Sequence, residues 1–275
     1  GLRLMTLARV TDERLSIKEV INVVLSNYFL AVLTPGASGG AIAQIMFMKR
    51  ANVPVAKATV IVFVRTIMSI TFLILLVPFV LYNDAFLSEW MPPAVIAAVS
   101  VIFISIPVAV VLLMRTRYPE FWLVALTGKL SHDYRRKCFN SYYEFKKASF
   151  IMGRHPLMIL RAFIESGISL LGIYATVPMF FLGMNIQFDW LQVMGRMVLL
   201  NLVLYFSPTP GGSGIAEAGF IVLFASLLPE GMVGIMAVLW RFTAEYFPFL
   251  LGAFISIRAF GSNIIAANNL KEREN

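Results

Sequence analysis

The sequence predicts an all-α, polytopic membrane protein that is built as an inverted repeat, and three observations lead to this fold class. The 275-residue chain is 59% hydrophobic and only 14% charged, with a mean hydropathy of +0.80. Such a composition is too apolar for a soluble domain. Several apolar stretches are long enough to cross a hydrocarbon core of about 30 Å. Finally, one motif rich in glycine and proline interrupts two shorter apolar stretches.

The interrupting motif occurs twice with a single difference. Thr34-Pro35-Gly36-Ala37-Ser38-Gly39 returns as Thr209-Pro210-Gly211-Gly212-Ser213-Gly214. An arginine follows each copy at nearly the same spacing inside the next apolar stretch, as Arg65 and Arg241. Because proline and glycine break helix interiors, each copy predicts two half-length helices joined by a tip. Two broken helices and two intramembrane arginines at matching places indicate an internally repeated transport fold.

The first repeat, at about 18–82, is predicted to contain one hairpin and one full span. A polar lead-in, residues 1–18, precedes the apolar stretch 20–33. A helix over that stretch would be about 21 Å long, which is too short for a full crossing. The stretch after the motif is shorter still, so we interpret the unit as a re-entrant hairpin that returns to its starting side. A full span follows at 54–82.

The middle of the chain is predicted to add another span and a basic segment. The span covers 93–114, and the polar segment 115–155 carries nine lysines and arginines. Its interspersed aromatic residues indicate helices that lie on the membrane surface. The simplest interpretation of this segment is a solvated surface that is attracted to anionic lipid.

The second repeat, at about 156–257, is predicted to have the same parts with an additional helix in front. A span at 156–183 precedes the broken unit, whose two helices are expected at 191–208 and 215–228, and a final span covers 232–257. The first broken unit has only a polar lead-in before it. The repeat therefore predicts a further transmembrane helix upstream of residue 1, in a single integral membrane domain over 1–275.

Loop charges predict the orientation of the chain. Basic loops of membrane proteins face the cytoplasm, which places 1–18, 115–155 and the C-terminal tail inside and the acidic loops 83–92 and 184–190 outside. The first hairpin would then enter from the cytoplasm and the second from outside, which is inverted-repeat architecture. Two full crossings in each unit would give the same loop placement. We expect a multi-pass protein of the bacterial or archaeal inner membrane.

The two tips predict a binding site between them. The half-helix after each break presents a positive dipole end, which attracts phosphates and carboxylates. Arginines inside apolar stretches are expected to face the bundle interior and would hold the same anion. The candidate substrate-binding residues come from the two motifs and from the stretches that follow them: Thr34, Gly36, Ser38, Gly39, Arg65, Thr209, Gly211, Gly212, Ser213, Gly214, Glu217, Arg241 and Glu245.

A structural interpretation of the same residues stays open. Proline and glycine also kink helices and let neighbours pack closely, and the arginines would equally suit ion pairs that lock the bundle. Arg241 has Glu245 one helical turn away as a partner. Arg65 has no acid on its own span, so we expect Glu217 or Glu165 to pair with it, the former when the site is empty.

Two further polar residues bear on the site. Gln44 stands where Glu217 stands in the second copy, so the two walls of a shared site would be chemically unequal. Arg196 lies only a few residues into its segment, and we expect it to be an interfacial anchor rather than a charge on a transport pathway.

Composition and motifs argue against several classes of function. The single cysteine, Cys138, excludes an internal disulfide and a cysteine-rich metal site. His132 and His155 form no ligand cluster, and phosphate-binding loops, HExxH and Ser/His/Asp patterns are absent. We therefore expect neither an enzyme nor a cofactor or metal. The net charge of +8 is assigned to orientation signals and anionic lipid rather than to nucleic acid.

With these residues in view, the chain resembles the flippase-like family named for the transmembrane region of lysylphosphatidylglycerol synthase. The resemblance rests on Arg14-Leu15-Ser16-Ile17-Lys18-Glu19 with Tyr28-Phe29-Leu30 and Thr34-Pro35-Gly36, on Thr209 to Ala218, and on Arg241-Phe242-Thr243-Ala244-Glu245-Tyr246-Phe247-Pro248. It implies movement of a lipid or lipid-linked molecule between leaflets. Nothing in the chain resembles the soluble aminoacyl-transferase domain of the synthase, so synthesis of an aminoacylated lipid is not implied.

Three hypotheses of function follow. The first is a lipid translocase that moves an anionic phospholipid or a polyprenyl-linked lipid, with membrane lipids as its partners and a homo-oligomer left open. The second is an ion- or proton-coupled transporter of a small anion, because half-helices and Glu217 suit a soluble solute equally well. The third is a non-transporting scaffold that recruits a lipid-modifying enzyme through 115–155.

Overall fold

The computed structural model describes residues 1–84 and 132–259, together with isolated residues between 86 and 127. Regular secondary structure in this part of the chain is helical. The helices are α1 (Leu2–Val10), α2 (Ile17–Leu33), α3 (Ser38–Arg50), α4 (Val55–Asn83), α5 (His132–Gly153), α6 (Pro156–Tyr174), α7 (Thr176–Gly183), α8 (Trp190–Tyr205), α9 (Ile215–Phe224) and α10 (Met232–Arg241). A π-helical turn, Phe242–Tyr246, follows α10, and the helix then continues over 247–259.

Three of the predicted spans are confirmed. Val55–Leu81, Pro156–Gly183 and Met232–Ala259 are long and apolar enough to cross a membrane, so the chain is an all-α polytopic membrane protein. Within the second span, α6 and α7 are separated at Ala175 because Pro178 has no amide proton with which to continue the hydrogen-bond ladder. The predicted span at 93–114 lies outside the continuously described residues.

The two broken units form pairs of short helices, as predicted. We call α2–α3 the first hairpin and α8–α9 the second hairpin. Ser16 starts α2 with a capping box, in which its hydroxyl accepts from the Glu19 amide and its own amide donates to the Glu19 carboxylate at 2.7 Å. The helices of the first hairpin pack closely because Gly40 lacks a Cβ, which would lie 2.6 Å from Oδ1 of Asn27.

The lead-in before the first hairpin differs from our expectation of a polar segment. Residues Leu2–Val10 form a helix that packs against α4 and α6 and buries Leu4, Leu7 and Ala8. Their spacing of three and four residues places them on one helix face, so an amphipathic pattern was present in the sequence. α1 therefore belongs to the bundle and brings Arg3 into it.

The buried side chains form two apolar cores, one for each hairpin. The first core joins α1, the first hairpin and the N-terminal half of α4, with Val23, Met48 and Ile61 among its members. The second core joins the second hairpin to the C-terminal half of α4, with Leu200 and Phe220 among its members. The hairpins thus pack at opposite ends of α4.

The other two spans also extend from one core to the other. The Pro156–Gly183 span contributes Ala162 to the first core and Leu170 to the second, and it runs in the same direction as α4. The Met232–Ala259 span runs the opposite way, from Met236 in the second core to Ile255 beside the first. These directions agree with the charge pattern, which predicts that the loops 83–92 and 184–190 lie on one side of the membrane and 115–155 on the other.

The basic segment 115–155 is helical where the structure describes it continuously. α5 packs against α4 and α6, and Ala148 and Met152 reach the first core. Its position on a membrane surface stays a prediction.

Candidate functional site

The two tips touch each other. Pro35 and Pro210 pair through their backbones as an isolated antiparallel bridge. A Cβ at Gly211 would lie 3.2 Å from the Cα of Val32, so glycine permits this close approach of the second tip to the first hairpin. The repeated motif therefore brings both broken helices to one place in the bundle.

The amides of the first tip have partners within the tip itself. The Thr34 hydroxyl donates to the Leu30 carbonyl at 2.7 Å and accepts from the Gly39 amide at 2.8 Å. The Ser38 hydroxyl and amide both donate to the Pro35 carbonyl, at 3.0 and 3.3 Å. The N-terminus of α3 is thus capped by its own motif rather than left open for an anion.

The second tip is capped by an acidic residue of its own helix. The Gly214 amide donates to Oε2 of Glu217 at 2.7 Å, and the Ser213 amide donates to the Pro210 carbonyl at 3.1 Å. The hydroxyls of Ser207 and Thr209 lie 2.9 Å apart in a hydrogen bond. A carboxylate of the protein therefore occupies the helix N-terminus at which we expected a ligand.

Arg241 has several partners around its guanidinium and is only 1% exposed. Its Nε donates to Oε1 of Glu217 at 2.9 Å, and its Nη2 donates to the Gly211 carbonyl at 2.9 Å. Nη1 forms an ion pair with Glu245, as predicted, although the angles are not those of a hydrogen bond. The guanidinium also lies 5.5 Å from the ring centre of Tyr246. This network joins the last span to the second tip.

A π-helical turn positions the acidic partner of Arg241. The Phe247 amide donates to the Phe242 carbonyl, five residues earlier. Pro248 cannot donate to the carbonyl of Ala244, which loosens the regular ladder at this point. Such single π-helical turns occur frequently at functional sites. The proline was the sequence signal for this irregularity.

Arg65 has none of the partners that we predicted for it. Glu217 pairs with Arg241 instead, and Glu165 accepts from Thr6 at 2.8 Å and from Arg161 at 2.9 Å. The Nε of Arg65 is inaccessible to solvent and has no hydrogen-bond partner. Within the described part of the chain, no carboxylate forms an ion pair with this side chain.

Arg3 lies next to Arg65 and was missed by the sequence analysis. Its Nη1 donates to the Ser69 hydroxyl at 2.8 Å, and that hydroxyl donates to the Arg65 carbonyl at 3.1 Å. Tyr28 of the first hairpin and Tyr205 of the second lie in the electrostatic neighbourhood of both guanidinium groups, which also repel each other. Arg3 and Arg65, which we call the arginine pair, thus have tyrosines of both hairpins in their neighbourhood.

Gln44 does not stand at the structural position of Glu217, because it is the seventh residue of α3 and Glu217 is the third of α9, and its contacts also differ. Its Nε2 donates to Oδ1 of Asn27 on α2 at 2.7 Å, and its Oε1 is buried without a partner. The residue closes the first hairpin with a neutral contact. The two halves are therefore chemically unequal, as the mismatch in the repeat predicted.

Arg196 is a buried ion-pair residue, and our expectation of an interfacial anchor was wrong. Its Nε lies 2.7 Å from Oδ2 of Asp84, and both side chains are almost completely buried. Nη1 donates to the Leu223 carbonyl and to the Ser226 hydroxyl. The pair joins the end of α4 to both helices of the second hairpin.

An apolar groove lies beside the second tip. It has a volume of about 490 Å³ and runs between α8 and α9, where Leu199, Val203, Ala218 and Val222 line it. One end reaches Gly214 of the tip. A hydrocarbon chain fits the chemistry of this lining.

Known proteins provide an independent comparison. A family model described as the lysylphosphatidylglycerol synthase TM region matches residues 1–252. A UPF0104 membrane protein of Archaeoglobus fulgidus is 19% identical over 266 residues, which cover 92% of this chain and 80% of that relative. No solved structure matches the chain.

The family match covers both tips, the arginine pair and the Arg241 network. The protein therefore belongs to the family of the lysylphosphatidylglycerol synthase transmembrane region.

Proposed function

We propose that the protein is a lipid translocase, which moves an anionic phospholipid or a polyprenyl-linked lipid between the two leaflets. The observation that carries this proposal is the arginine pair, in which Nε of Arg65 is buried without a partner and neither guanidinium forms an ion pair with a carboxylate of the described residues. A cationic centre inside an apolar bundle is costly unless an anion is bound or water enters. The anionic head group of a lipid supplies that charge while its chains stay in hydrocarbon.

The arrangement of the two cores supports the inverted repeat and the re-entrant hairpins of this proposal. The hairpins pack at opposite ends of α4, and their tips touch between the two cores. In transporters with inverted repeats, one unit rocks against the other around a site at the interface between the repeats. The mechanism that we propose is the same rocking movement, with the head group beside the touching tips.

The groove between α8 and α9 favours a lipid over a soluble anion. Its apolar lining begins at the second tip and would cost a charged solute its hydration. The same lining would shield an acyl or isoprenoid chain from polar groups. Such an apolar surface would not help a carrier of a small anion, our second hypothesis, to bind its substrate.

Reconstitution into vesicles tests the proposal. Fluorescent phosphatidylglycerol, phosphatidylcholine and a polyprenyl phosphate are placed in proteoliposomes, and loss of inner-leaflet protection is followed with a membrane-impermeant quencher. We expect faster movement of the anionic lipids than in empty vesicles. Arg65→Gln removes most of this gain, and Arg154→Gln, which changes an exposed arginine at the end of α5, retains it.

Two outcomes would decide against a translocase. If neither anionic lipid moves faster than in empty vesicles, translocation is excluded under these conditions. Uptake of a soluble anion by the same vesicles would then favour the carrier. Normal membrane insertion without either activity would favour the scaffold.

A further inference from the structure

We infer that the arginine pair binds a doubly charged phosphate head group, either a phosphomonoester or a diphosphate, in preference to the singly charged phosphodiester of most phospholipids. This inference rests on the proposed function and specifies the substrate class of the same site. Its basis is the balance of charge around Arg3 and Arg65, compared with that around the other two arginines whose side chains the bundle buries.

The bundle neutralises its two most deeply buried arginines with carboxylates of its own. Arg196 is paired with Asp84, and Arg241 is in contact with both Glu217 and Glu245. An uncompensated charge in a bundle interior costs several kcal/mol, so such pairing is the expected solution. Arg196 and Arg241 therefore show that this fold compensates a buried guanidinium charge with carboxylates.

The arginine pair departs from this pattern, because its two positive charges have no carboxylate partner among the described residues. Arg3 contacts the Ser69 hydroxyl, and Nε of Arg65 has no partner. Within the described residues, no carboxylate forms an ion pair with either side chain, and their electrostatic neighbours include the Gly1 amine and tyrosines. A monoanion would leave one positive charge in excess, whereas a dianion balances both.

The neighbouring hydroxyls suit the oxygens of a terminal phosphate. Tyr28, Tyr174 and Tyr205 come from α2, α6 and α8 and lie in the electrostatic neighbourhood of Arg3. Their hydroxyls make no hydrogen bond to another described residue. Guanidinium groups bind phosphate oxygens through two parallel N–H donors, and a phosphomonoester presents three such oxygens where a diester presents two.

Binding to the purified full chain in phosphatidylcholine nanodiscs tests the inference. Displacement of a fluorescent lipid measures the affinities of phosphatidic acid, a phosphomonoester, and of phosphatidylglycerol, a phosphodiester. We expect phosphatidic acid to bind at least about tenfold more tightly, since a second charge near two guanidiniums is worth more than about 1.4 kcal/mol. Arg3→Gln and Arg65→Gln should each reduce the ratio to near one, and Arg154→Gln should retain it.

One further variant and one soluble probe complete the design. Arg65→Lys keeps the charge without the planar donors, and we expect it to retain part of the preference. Because Arg65 has no ion-pair partner among the described residues, neither Arg65→Gln nor Arg65→Lys should lower the thermal unfolding midpoint below that of the wild type, which separates loss of binding from loss of fold. Glycerol 3-phosphate carries the same phosphomonoester without chains; competition as strong as that of phosphatidic acid assigns the site to a soluble ligand.

The outcomes for the inference and for the proposed function are distinct. Equal affinities for the two lipids in the wild type would overturn the inference, and the translocase would still stand if Arg65→Gln slowed lipid movement. A preference that persists in both glutamine variants would also overturn it. Preferential binding without any lipid movement would uphold the inference and remove the translocase.

Discussion

The two halves of the bundle place an arginine at matching positions of the repeat but treat its charge in opposite ways. In the second half, Arg241 lies against Glu217, Glu245 and the Gly211 carbonyl. In the first half, Gln44 makes a neutral contact with Asn27, and no acid of the described segments pairs with Arg65. The same motif is thus followed by a closed ion-pair network at the second tip, whereas Arg65 in the first half has no ion-pair partner among the described residues. Equivalent positions in a repeat do not imply equivalent roles.

The backbones of the tips differ as well. Gly36 and Gly211 both have a positive φ, at +60° and +58°. α3 begins at Ser38, whereas α9 begins only at Ile215, after Gly214 with φ +81°. The delayed start places the Gly214 amide where Glu217 caps it. Relative to its motif, α9 therefore starts two residues later than α3, and the Glu217 carboxylate is held at the second tip.

The largest difference that we expect between the halves is in the stability of their arginine variants. Arg241→Gln leaves Glu217 and Glu245 close together without their cation, and should lower the free energy of unfolding by about 3–5 kcal/mol. Arg65→Gln removes no ion pair with a described residue and takes away an uncompensated charge, so it should not lower the free energy of unfolding. Unfolding in mixed micelles with increasing denaturing detergent measures both. Similar losses in the two variants would show that Arg65 has a structural partner.

The two halves should also differ in the stability that is lost when an ion pair is broken. A buried pair in the second half should lose more than a more exposed pair in the first. Asp84→Asn leaves Arg196 without its counter-charge at a site that is almost fully buried, so we expect a loss of about 3 kcal/mol. Glu13→Gln breaks the more exposed pair with Lys57 and should cost at most about 1 kcal/mol. The same unfolding assay compares them, and an equal cost would contradict our assignment of Arg196 to the structural charges.

The features that the sequence predicted correctly depend on local pattern. Long apolar runs predicted three of the spans, and the paired motifs predicted two pairs of short helices. Glu245 was identified as a partner of Arg241 because residues four apart share a helix face. Glu217 also stood three residues after Gly214, which is the spacing of a capping box, although we interpreted it as a partner for a ligand or for Arg65.

The features that the sequence did not predict depend on contacts between segments that are far apart in the chain. Asp84 and Arg196 are 112 residues apart in the chain, and no periodicity indicates such a pairing. Arg3 was overlooked because we treated the first residues as a polar lead-in, although Leu4 and Leu7 have helical spacing. The candidate site, which α1, α4 and both hairpins would form, depends on how these helices pack together.

Replacement of the matching glycines Gly36 and Gly211 by alanine separates the stability cost of backbone strain from that of steric crowding. Gly36→Ala places a methyl group at positive φ, with its nearest neighbour, the Ser207 carbonyl, 3.9 Å away. We expect a loss of about 1 kcal/mol. Gly211→Ala adds contacts of 3.2 and 3.3 Å with the backbone of Val32, and should cost about 2–3 kcal/mol and disturb the contact between the tips. A larger cost at Gly36 would mean that the tips are not in contact in the membrane.

The smallest effect is expected at the one position where the two motifs differ. Ala37 adopts φ +52°, the left-handed region in which an L side chain is strained, and Gly212 adopts φ +69° at the matching place. Ala37→Gly relieves that strain but gives the unfolded chain more freedom, so the two effects partly cancel. We expect a gain of about 0.5 kcal/mol in stability with unchanged lipid movement. Gly212→Ala should instead be destabilising, because its Cβ would lie 2.9 Å from the Leu204 side chain. If Ala37→Gly lowered stability, the methyl group of Ala37 would have a packing role that its exposed position does not indicate.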